Sequence, residues 1–62
     1  MKNTMIRKLN DDASKLYYAM KDGIKLDVYK KEVHQDIDIL KRLGVPQERL
    51  EDIMSDAALR VL

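Results

Sequence analysis

The sequence predicts an all-α fold of three helices, on the strength of three observations. Apolar residues recur at the helical period in three separate stretches, with none of the sustained alternation a strand needs. Two glycines, Gly23 and Gly44, stand where the first two patterns stop, and the single proline, Pro46, stands where the third begins. The connections between patterns are short, about four residues, which sets successive helices side by side. The expected architecture is a compact three-helix bundle in one domain, residues 1–62, with helices over about residues 4–22, 28–43 and 46–60.

In the first helix Met5, Leu9, Leu16 and Met20 fall in one arc at 100° per residue, with Ala13 and Ala19 at its edges. Asn10-Asp11-Asp12 sits inside that pattern, and all three are better capping residues than interior ones. The chain therefore forms either one continuous helix or a loose N-terminal arm followed by a helix from about Asp12; the alignment of Met5 and Leu9 with the later stripe favours the first. Asp27 is suited to cap the second helix. Its core stripe is Tyr29, Val33, Ile37, Leu40 and Leu43, while Val28 and Ile39 share a narrower strip beside it. The third helix presents Leu50, Ile53, Met54, Ala57 and Val61 inward. At both glycines the following residue, Ile24 or Val45, is apolar and placed to pack back on the last helical turn.

A domain of this size buries only about 60% of the surface its unfolded chain exposes, so its stability is marginal. There is no cysteine to form a disulfide or a thiolate metal site, and there is one histidine. A bound partner or a second copy is the expected source of extra stability. Net charge is +1, which gives no overall field favouring nucleic acid or an anionic membrane. The two halves differ mildly, at net +3 for residues 1–33 and −2 for residues 34–62. No apolar run approaches the ~20 residues of a membrane span. Arg7 and Lys8 follow the first residues at once, where a signal peptide would carry its apolar region. Cytoplasmic location is the expectation.

Residues Ile39 to Ile53 resemble the helix-turn-helix pattern of DNA-binding proteins. Ile39 and Leu43 lie in the first helix, Gly44 stands at the turn, and Val45, Leu50 and Ile53 pack the second; Leu40 is large where the pattern usually has a small residue. The resemblance implies a dimeric transcriptional regulator whose helix after Pro46 reads the major groove. Gln47 and Arg49 would meet bases, and Lys41 and Arg42 would hold the phosphate backbone. Against this, that helix also exposes Glu48, Glu51 and Asp52, which subtract from affinity for phosphate.

His34 and Asp38 have the i, i+4 spacing of a helical metal pair, with Asp36 between them. No further ligand converges on them, so the three read as a solvated group and no metal is expected. Glu48, Glu51 and Asp52 could supply an acid–base pair only in a desolvated cleft, for which a bundle this small has no room. No catalytic residue, enzyme activity or cofactor is expected. Apolar residues outside the core stripes are the stronger signal. Tyr17 and Tyr18, with Val28, Ile39, Leu59 and Leu62, are the candidate partner-binding residues. The expected function is that of a small non-enzymatic regulatory or adaptor protein, an inhibitor or modulator of a larger protein, itself a homo-oligomer and most simply a homodimer.

Overall fold

A computed structural model describes residues 2–24 and 26–61. Three α-helices follow in order: α1 Lys2–Asp22, α2 Leu26–Arg42 and α3 Gln47–Val61. Helix α1 is one continuous rod of 21 residues, about 31 Å long at 1.5 Å per residue. Asn10-Asp11-Asp12 does not interrupt it, because two of the three side chains have tertiary work. Asn10 Oδ1 accepts a hydrogen bond from Arg60 Nη1 of α3 at 3.3 Å, and Asp12 faces α2 across the helix pair. Held there, they do not compete for the backbone of their own helix.

The helix ends correct the expected boundaries by one or two residues. Helix α1 starts at Lys2 rather than residue 4, and α2 at Leu26 rather than residue 28. Asp27 is therefore not an N-cap; it lies in the first turn of α2, where its negative charge favours the positive end of the helix dipole. Helix α2 ends at Arg42, one residue before 43, and α3 covers 47–61 rather than 46–60. Pro46 precedes the first residue of α3 and its carbonyl accepts from the N–H groups of Arg49 and Leu50, so the missing proline N–H costs nothing.

Both glycines have positive φ, 73° at Gly23 and 90° at Gly44. The Ile24 N–H reaches back to the Ala19 carbonyl at 3.0 Å, and the Val45 N–H to the Leu40 carbonyl at 3.0 Å. The Gly44 N–H adds a bond to Lys41 at 3.1 Å, completing the glycine-terminated cap. The two caps differ in packing: Val45 is buried in the core, whereas Ile24 stays exposed. A Cβ at Gly44 would meet no atom within 4 Å, so only its backbone conformation resists substitution. Gly44→Ala should thus destabilise the fold by about 1–2 kcal/mol, read as a lower midpoint in urea unfolding. A raised midpoint would mean that the left-handed cap is not formed.

Helix α1 packs against α2 and against α3, while α2 and α3 scarcely touch each other. The core is consequently a seam along α1. Leu9, Ala13 and Leu16 of α1 cluster with Val33 and Leu40 of α2, Val45 of the turn, and Leu50, Ile53 and Ala57 of α3. Tyr29 and Met54 are half-buried against it. Three expected core residues sit differently: Ile37 is only half-buried, and Met20 and Leu43 are exposed. Met20 lies in the last turn of α1 and Leu43 beyond the end of α2, where the neighbouring helix no longer covers the stripe. The bundle measures 33 × 21 × 17 Å.

Candidate functional site

The α1–α2 seam carries the one charged cluster buried among the described residues. Asp12 is 5% exposed and Asp36 2% exposed. Lys8 Nζ donates to Asp12 Oδ2 at 2.8 Å and to Asp36 Oδ1 at 3.1 Å, bridging the two helices. Asp36 Oδ2 is buried without a hydrogen-bond partner. Two carboxylates thus share one ammonium that is itself half in solvent.

Their titration diverges as a result. Burial pushes the Asp36 carboxyl up to about 6, helped by its hydrogen bond and charge repulsion with Asp12 and opposed by Lys8. Burial would also raise Asp12, but hydrogen bonds from Asp36 and Lys8, with the positive charges of Lys8 and Lys15, hold it below the ordinary carboxylate range. Hydrogen bonds to Asp12 and then Asp36 hold Lys8 above its ordinary value. Below about pH 6 the pair keeps one shared proton, with Asp36 the acid and Asp12 the acceptor. No cleft opens on this cluster, so the arrangement supports structure rather than turnover.

The sequence reading placed Asp36 with His34 and Asp38 in solvent, and the structure corrects this. Asp36 stands three residues after Val33 and four before Leu40, inside the buried stripe, whereas His34 and Asp38 are exposed. Stepping by 100° from Val33 would have found it; adjacency in sequence misled. Among the described residues no three His, Cys, Asp or Glu side chains gather as a metal-binding group.

Two surface grooves remain. Thr4 and Met5 of α1, with Ile39 of α2 and Leu43 just after it, line an apolar groove of about 320 Å³ at the open end of the α1–α2 pair. Lys8 and Arg42, both exposed, stand one turn or less from these residues on their own helices. Between α2 and α3, where the helices fail to meet, Ile37, Leu50 and Met54 form the floor of a second groove of about 380 Å³ edged by Gln47, Glu51 and Ser55.

The candidate partner-binding residues are divided among several surfaces. Ile39 lines the apolar groove, and Val28 is exposed farther along α2, three helical turns before it. Tyr18 and Leu59 are exposed elsewhere, Leu59 at 81%. Tyr17 is half-buried against the core, so it acts in packing rather than as a free contact. Leu62 lies outside the described residues. Met5 and Leu43, which the sequence pattern assigned to the core, are the groove residues it missed. Lys41, Arg42, Gln47 and Arg49 are all exposed around the junction of α2 and α3.

The fold and these surfaces define a three-helix protein with open apolar faces and no formed catalytic pocket among the described residues. Comparison with protein-family models, curated proteins and solved structures gives no match to the chain.

Proposed function

We propose that this chain is a small non-enzymatic regulatory or adaptor protein that binds another protein through the apolar groove of Met5, Ile39 and Leu43. The observation that carries this reading is the groove itself: three large apolar side chains line it at the surface of a domain that has few to spare. With Lys8 and Arg42 beside it, the groove suits an apolar segment carrying acidic residues, such as an amphipathic helix. Modulation of a larger protein by covering one of its helices follows from that geometry. A cytoplasmic setting belongs to the same proposal and rests on the cysteine-free composition. Among the described residues, no helix is long and apolar enough to cross a membrane.

The alternative, a DNA-reading dimer, has less support. Exposed Glu48, Glu51, Asp52 and Asp56 surround Arg49 on α3. The slight contact between α2 and α3 also leaves the would-be recognition helix unbraced by the helix before it.

Ile39→Glu tests the leading reading, since Ile39 is exposed and its substitution should leave the melting curve in place. A protein captured from the source cell by the wild type and lost on Ile39→Glu supports it. A partner retained equally by both, or no partner, counts against it. Mobility shifts on duplex DNA decide the alternative: a sequence-specific shift at moderate salt, abolished by Arg49→Ala, would replace protein binding with DNA reading. The expected result is no shift.

A further inference from the structure

We propose that the groove between α2 and α3 is a self-docking surface, occupied by the same groove of a second copy about a two-fold axis running along it. The first argument is area. The chain exposes 4599 Å². A compact monomer of 7.3 kDa scales to about 4,200 Å². The excess of roughly 400 Å² is that of a bundle left open, and α2 and α3 are the helices that do not close. Leu50, a core residue, lies at the floor of the opening beside half-buried Ile37 and Met54. Covering this groove removes from water the apolar surface that a third helix–helix seam would otherwise have taken.

The second argument is charge. On the α2 edge, Lys41 stands one turn from Ile37, and Lys30 lies two turns from it in the other direction; both are exposed. On the α3 edge stand exposed Glu48 and Glu51, and Gln47 donates to Glu51 Oε1 at 3.5 Å. Among the described residues the ion pairs are Lys8 with Asp12 and Asp36, and Arg60 with Asp56, so neither edge spends its charge within the chain. One groove therefore has a basic rim and an acidic rim. A two-fold axis along the groove lays the α2 edge of each copy over the α3 edge of the other, bringing Lys41 toward Glu48 and Glu51 twice. An axis across the groove would set like charges together. The occupant that supplies both rims in the right places is the chain itself. This surface is distinct from the Ile39 groove, which stays open in such a dimer.

Sedimentation equilibrium of the full chain from micromolar to millimolar concentration tests the proposal. The wild type should dimerise. Lys41→Glu alone, and the Glu48→Lys, Glu51→Lys double variant alone, should each dimerise at least about tenfold more weakly, because each homodimer then carries two like-charge contacts. An equimolar mixture of the two variants should regain wild-type association, since every cross-copy contact in the heterodimer is again of opposite sign. Circular dichroism melts check that the variants fold, and all three positions are exposed. A wild type that stays monomeric throughout, or a dimer indifferent to these reversals, or two weakened variants that do not rescue one another, would each overturn the arrangement.

Discussion

Leu40→Ala should lower the unfolding free energy by about 2–5 kcal/mol, the range for truncating a fully buried aliphatic side chain. Leu40 has no exposed surface and lies in the cluster where all three helices contribute. Its carbonyl also accepts the Val45 N–H, so the residue sits where the α2 cap, the turn and the core meet. A 62-residue domain has only about 3–9 kcal/mol of total stability at 0.05–0.15 kcal/mol per residue, so the variant should be largely unfolded or nearly so at 37 °C. Ile37→Ala, at a half-buried position beside an open groove, should cost roughly half as much. Urea unfolding of the two variants checks both numbers; equal losses would mean that α2 turns a different face to α1.

The second large effect is a dependence of stability on mild acid. Asp36 titrates near 6 in the folded chain against an ordinary 3.8. A raised carboxyl contributes stability that is complete below the unfolded value and is lost as pH rises through the folded one. Asp12 is lowered, so its contribution is present above 3.8 and disappears only in stronger acid. Stability should therefore increase by roughly 1 kcal/mol between pH 7 and pH 5, a rise of about 4–8 °C in melting temperature for a domain this size. The physical event is protonation of Asp36, which ends the burial of two negative charges against one lysine. Asp36→Asn keeps a donor toward Asp12 at every pH, so it should match the protonated wild type and flatten the pH 5–7 slope. A wild-type melting temperature that does not rise on acidification, or an Asn variant with the same slope, would remove this cluster as the cause.

The helices were legible in the sequence because their signals are local. Gly23 and Gly44 needed positive φ, Pro46 opened α3, and the stripes of Leu9 and Leu16, Val33 and Leu40, and Leu50, Ile53 and Ala57 follow one face at 100° per step. What lay beyond reach was decided between helices. Asn10 reads as a cap and becomes a partner for Arg60, 50 residues away. Leu43 fits the core stripe, yet α2 ends at Arg42 and leaves it on the rim of a groove. The burial of Asp12 and Asp36 is the intermediate case. Helical stepping places Asp36 inward, but only the approach of Lys8 from α1 explains how a carboxylate can remain there. Neither groove could be read from periodicity, since each depends on how far apart two helices stand.

The slight contact between α2 and α3 has a consequence for how the chain comes apart. Each flank rests on α1, so one can detach while the other stays, but α1 cannot be lost without dissolving both seams. Amide hydrogen exchange should then be slowest in the middle of α1, around Leu9 to Leu16, and should reveal openings smaller than global unfolding in the flanks. The two seams also differ in the length of chain they close. Helices α1 and α2 follow one another across Gly23, whereas Asn10 and Arg60 must meet across most of the sequence. Closing the shorter loop costs less entropy, so the α1–α2 hairpin assembles first and α3 docks onto a surface already made.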